Sequence, residues 1–152
     1  MEPVTIADKK LEPVTIADNS MVRVTLLKVP HFQCITTVKR EAINEQDVTL
    51  CTNAFEAVFV EAKKNNLPLR ILVRTQNVKV HVLKIKMDVV NSLKRHFQKR
   101  KQDYLPFVSR CAIVVDNTTL AGVIQPIISL ICSDDRILVT AHSEAAEQFL
   151  SK

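Results

Sequence analysis

Five consecutive apolar residues, Cys111-Ala112-Ile113-Val114-Val115, run into Asp116-Asn117-Thr118 and then into a second apolar stretch that ends near Cys132. A short, β-branched run bounded by turn formers is the pattern of a strand covered on both faces. Asn117 or Thr118 supplies the side-chain oxygen that satisfies the orphan amides opening a helix. The spacing therefore predicts a buried strand over 110–115 and a helix over roughly 118–131, apolar at Leu120, Val123, Ile124, Ile127, Ile128 and Ile131. Pro126 falls inside that helix. Its missing N–H and its clash with the preceding turn predict a kink or a split into two shorter helices.

A chain of 152 residues is one domain by size and can bury roughly 70% of its unfolded surface in a single core. With 24% charged and 47% hydrophobic residues the composition is that of a soluble globular protein. No apolar run approaches the roughly 18 residues of a membrane helix, and Glu2 and Asp8 stand where a signal peptide is basic and apolar. A cytoplasmic protein without membrane association is expected. Gly122 is the only glycine, which excludes the glycine-rich loops that cradle phosphates and dinucleotides. Cys34, Cys51, Cys111 and Cys132 are widely spaced and read as reduced thiols; only His31 and Cys34 approach ligand spacing, so neither a metal nor a cofactor is expected. The net charge of +5 permits attraction to nucleic acid or acidic partners without specifying either.

Residues 2–8, Glu-Pro-Val-Thr-Ile-Ala-Asp, recur unchanged at 12–18. Two copies fall short of a solenoid, so 1–20 reads as a duplicated leader, extended or mobile and largely outside the core. A docking motif presented twice is the sharper alternative. The domain proper is expected over 21–152. Val22, Val24 and Leu26 alternate with more polar neighbours, as do Phe32, Cys34, Thr36 and Val38, which predicts an antiparallel hairpin. Asp47 is the expected cap of a helix to about Lys64 with Cys51, Phe55, Val58 and Ala62 on its core stripe, and 69–73 is the next strand. Over 77–87 the alternation slips by one residue near Val82-Leu83, which implies a bulge or break, or an edge segment with its lysines in solvent.

Asp88 is the expected cap of a helix with Val89, Val90, Leu93 and Phe97 on one face. Lys94, Arg95, Lys99, Arg100 and Lys101 spread around its remaining circumference, as a solvated exterior or as a patch for an acidic partner. A strand over 136–140 and a short helix capped by Ser143, with Ala145, Ala146, Phe149 and Leu150 inward, close the chain. Strands alternating with helices imply right-handed crossovers. The expected fold is α/β: a mixed, mostly parallel sheet of about five strands led by the hairpin, with about four helices.

The element order, the length from Met21, the helix at Asp88, the Arg110–Asp116 strand and the closing Ser-Glu-Ala-Ala-Glu-Gln-Phe-Leu helix resemble the STAS family, named from sulfate transporters and anti-sigma-factor antagonists. Signalling members open their second helix with Asp-Ser-Ser/Thr-Gly/Ala, the serine or threonine being the phosphorylation switch; this chain has Asp88-Val89-Val90-Asn91 there. The resemblance implies a non-catalytic regulatory or protein-binding module without that switch, a monomer or homodimer, whose partner surface is expected at Lys84, Lys86, Asp88, Lys94 and Arg95. Nucleic-acid binding through the basic helix is one alternative. A small hydrolase or transferase is the other, because doubly wound sheets hold ligands at the carboxyl ends of their strands, here at Asp116, Thr118 and His142. Turn, cap and loop roles explain those residues equally well.

Overall fold

The computed structural model describes residues 14–27, 33–39, 44–65, 68–75, 87–131 and 135–152. Six strands form one sheet in sequential order: β1 (Val14–Asp18), β2 (Val22–Leu27), β3 (Gln33–Val38), β4 (Leu69–Thr75), β5 (Val108–Val114) and β6 (Ile137–Thr140). The first three are antiparallel neighbours and the remaining pairings are parallel. Among the described residues four α-helices accompany them: α1 (Glu45–Asn65), α2 (Met87–Tyr104), α3 (Thr118–Ile131) and α4 (Ser143–Ser151). The α/β class, the leading hairpin and the parallel remainder are as the sequence pattern predicts.

Strand β1 is the addition, and it comes from the second copy of the repeat. Val-Thr-Ile-Ala is β-branched enough to pair, and Asn19 makes the turn that folds it onto β2. The Asn19 Oδ1 accepts from Met21 N at 2.8 Å and Val22 N at 3.0 Å, and its own N–H reaches Val22 O at 2.9 Å. Lys39 ties the far side of the turn by donating to the Asp18 carboxylate and to Asn19 O. That contact holds the Asp18 pKa below its usual value, chiefly through the Lys39 hydrogen bond. Ile16 and Ala17 pack on the main core, so the sheet reaches into the leader and the 20/21 boundary falls within a hairpin turn.

Each parallel crossover steps one strand in the same direction. Right-handed crossovers of constant sense deposit their helices on one face, and α1, α2 and α3 accordingly line up against one another there. Met21, Val22, Val24, Leu26, Cys34, Ile71 and Val73 meet Ala54, Val58 and Ala62 of α1 in the main core. Val115 and Leu120 form a smaller cluster under α3. Helix α4 packs on the opposite face, Ala146 and Leu150 covering Leu72 and Ala112. On α1, Val48 and Ala54 are buried where the predicted stripe has Cys51 and Phe55, which are half-buried against the same core.

Several helix starts differ from expectation by a residue or more. Asn44 caps α1, its Oδ1 accepting from Asp47 N at 2.9 Å, so Asp47 is not the cap but a buried residue of the first turn. Asp88 is the second residue of α2, where its charge favours the helix dipole without capping. His142, not Ser143, is the N-cap of α4, with no side-chain cap bond. Helix α3 is unbroken across Pro126, against the predicted split. Gly122 and Pro126 are both exposed, so the carbonyl that Pro126 leaves without a donor is on the solvent side, where water satisfies it.

Two outcomes follow from this packing. Deleting residues 9–18 joins the first repeat copy, Glu2–Asp8, directly to Asn19, and should leave the melting temperature within about 2 °C of the full chain; deleting 2–18 should lower it by roughly 4 °C or more. The second concerns Cys34, 0% exposed, whose pKa is pushed up to about 11 by burial, partly opposed by its contact with Thr36. A thiol harder to ionise folded than unfolded stabilises the fold below its usual pKa of 9.0 and ceases to do so as pH rises toward 11. Denaturant titrations should show Cys34→Ala losing less stability than wild type between those pH values, by on the order of 2 kcal/mol.

Candidate functional site

Two regions were expected to carry function, the carboxyl ends of the parallel strands and the start of α2. At the first, β5 and β6 end side by side: Val114 pairs with Thr140, and Val115 N donates to Thr140 O at 2.9 Å. This places the Asp116–Thr118 turn and His142 at adjacent strand ends, with Asp116, Thr118 and His142 all exposed. The polar groups that are engaged here serve the backbone. Asn117 caps α3, its Oδ1 accepting from Leu120 N at 2.8 Å and its carbonyl from Ala121 N at 3.0 Å. Thr140 Oγ1 accepts from His142 N at 3.1 Å. Among the described residues no hydrogen bond joins Asp116, Thr118 and His142 to one another, and no group of three metal-ligating side chains converges.

The winding of the sheet explains the openness of this corner. Ligand crevices of α/β sheets form where the strand order reverses and flanking helices part to opposite faces. Here the order never reverses, and α1, α2 and α3 stand shoulder to shoulder. The fold is wound on one side and not on two.

At the second region, Lys84, Lys86 and the slipped segment lie outside the described residues. Asp88, Lys94 and Arg95 are exposed on α2. Arg95 Nη2, midway along α2, lies 3.6 Å from Glu45 Oε1 at the start of α1, an exposed pair that contributes little to stability. Of the other basic positions, Lys99 is exposed, and the side chains of Arg100 and Lys101 are not described. Ser92, one turn into α2, is 2% exposed and its Oγ has no hydrogen-bond partner. It is a core residue closed to modifying enzymes. Thr75 Oγ1, at the end of β4, is likewise buried without a partner.

Compared with family models, with curated proteins and with solved structures, the chain matches none. Among the described residues no helix is long and apolar enough to cross a membrane.

The buried hydroxyl sets a test. Removing an unsatisfied polar group relieves its desolvation cost, so Ser92→Ala should match or exceed wild-type stability by up to about 1–2 kcal/mol in urea melts. Ser92→Asp should cost more than about 3 kcal/mol by burying an unpaired charge.

Proposed function

We propose that this protein is a non-catalytic, STAS-like regulatory module of the cytoplasm that acts by binding a protein partner. Its contact surface is the start of α2 with the segment before it: Lys84, Lys86, Asp88, Lys94 and Arg95. The observation that carries this reading is the one-sided winding of the sheet, which among the described residues has no switch point, while the polar groups engaged at the strand ends serve turns and caps. The exposed charges on the first half of α2, Asp88, Lys94 and Arg95, suit an acidic or mixed-charge partner.

Affinity capture from native cell extract tests it. Lys84→Glu, Lys86→Glu and Arg95→Glu combined should abolish retention of a partner held by the wild type, with the melting curve unchanged. Equal retention by both proteins would place the interface elsewhere. A small-molecule turnover abolished by Asp116→Ala or His142→Ala would overturn the non-catalytic reading in favour of an enzyme.

A further inference from the structure

Among the described residues, the face of the sheet opposite α1, α2 and α3 is covered over only half its width. Helix α4 packs over β4, β5 and β6 on that side, and among the described elements none lies over β1, β2 and β3. Strand alternation fixes what this bare half presents. The core-facing set on β2, β3 and β4 is Val22, Val24, Leu26, Cys34, Leu69, Ile71 and Val73. The other set is therefore Arg23, Thr25 and Leu27 on β2, Gln33, Ile35 and Thr37 on β3, and Arg70, Leu72 and Arg74 on β4.

Register aligns these side chains into rows across the strands. Arg23 pairs with Thr37 and Thr37 with Arg74, so the two exposed arginines stand two strands, about 10 Å, apart with a threonine between them. Gln33 pairs with Arg70 and Arg70 with Arg110, a second basic row four residues, about 13 Å, along the strands. Arg110 lies over the Phe149 ring of α4, its guanidinium carbon 4.7 Å from the centroid, where the covered half begins. Against these four cations the strands carry one carboxylate on this face, Asp18 beside Arg23, and Lys39 already binds it. Arg23 stands opposite Asp18, whose carboxyl it helps Lys39 to hold ionised, and Arg70 and Arg74 form no salt bridge among the described residues. The carboxylates of α4, Glu144 and Glu147, are exposed beyond this half of the sheet.

We infer that the open β1–β3 face and its arginine rows form a binding platform for single-stranded nucleic acid. Guanidinium groups are planar forks that match phosphate oxygens and stack on exposed bases. The threonine and glutamine side chains between them add donors and acceptors, and the flat sheet gives a strand room to lie extended. A protein partner is the poorer match, because protein interfaces rest on buried aromatic and aliphatic anchors, and this face offers only the half-buried Leu27 and Ile35. The platform lies on the opposite side of the sheet from α2, so it is independent of the protein-binding surface proposed above.

The test is fluorescence anisotropy with labelled oligouridine and oligothymidine, the full chain being titrated at low and at near-physiological salt. Binding should weaken with salt at a log–log slope of about −2 to −3, as three to four neutralised phosphates release counterions. Arg23→Glu with Arg74→Glu should weaken binding at least about tenfold. Lys94→Glu with Arg95→Glu, on the opposite side, should change it less than about twofold. Both variants alter exposed residues, and unchanged melting curves verify their folding. The inference is overturned by an absence of binding at low salt, by a sheet variant that binds like wild type, or by loss only in the α2 variant. Poly-glutamate displacing the oligonucleotide at equal charge concentration would also overturn it, in favour of an acidic protein partner.

Discussion

Everything in this molecule depends on the parallel ladder through β4. That strand is paired on both sides, to β3 from Gln33–Arg70 to Val38–Thr75 and to β5 from Leu69–Val108 to Arg74–Val114. It donates side chains to both layers: Leu69, Ile71 and Val73 to the main core, Leu72 to the cluster under α4. Parallel strands reach one another only through long right-handed crossovers, and here each crossover moves the chain one strand in the same direction. The consequence, among the described residues, is a sheet with three helices on one face and one helix on the other.

That asymmetry separates what the two faces do. The helical face holds most of the buried apolar residues and the nearly inaccessible Cys34, Thr36 and Ser92. Stability is concentrated there, since a buried aliphatic side chain is worth roughly 1.5–3 kcal/mol relative to exposure. The opposite face keeps an apolar patch only beneath α4, and toward β1 it gives way to threonine, glutamine and arginine. Parallel sheets are ordinarily covered on both faces, and β3 escapes that requirement because its outward positions, Gln33, Ile35 and Thr37, include two polar side chains. Open edges invite pairing with other chains. At the β1 edge, Val14 is 61% exposed, while the Lys39–Asp18 contact places charge at the end of the strand.

Much of this was legible in the residues. The run 111–115 followed by Asn117 marked β5 and α3 because burial and capping both leave strong local signals. The hairpin of β2 and β3 was equally plain from its alternation. What escaped was decided by tertiary context. The repeat copy 12–18 looked like a leader because duplication suggested dispensability, yet Val14-Thr15-Ile16-Ala17 and the turn former Asn19 held the strand signal. Asp47 and Ser143 were sound capping candidates that lost to Asn44 and His142, three and one positions earlier, and Asp88 falls one residue inside its helix, as helix ends commonly shift. The strand-end polar residues suggested a crevice, but whether a crevice exists depends on the direction of strand order, which hydropathy does not encode. The arginine rows were hidden for a related reason: Arg23, Arg110 and the β4 pair Arg70 and Arg74 lie on three strands far apart in sequence and come together only through register.

The most direct check on this account is cysteine accessibility along β2 and β3, because the two faces alternate residue by residue there. With single cysteines introduced at Arg23, Val24, Thr25, Thr36 and Thr37, maleimide labelling of the native protein should modify positions 23, 25 and 37 readily, and positions 24 and 36 only on unfolding, since Val24 and Thr36 are 0% exposed. Equal protection at all five would mean that a second helical layer covers the outer face, and equal labelling would mean that the main core is not where the register puts it. Either result would contradict the one-sided winding on which the fold and both proposed surfaces rest.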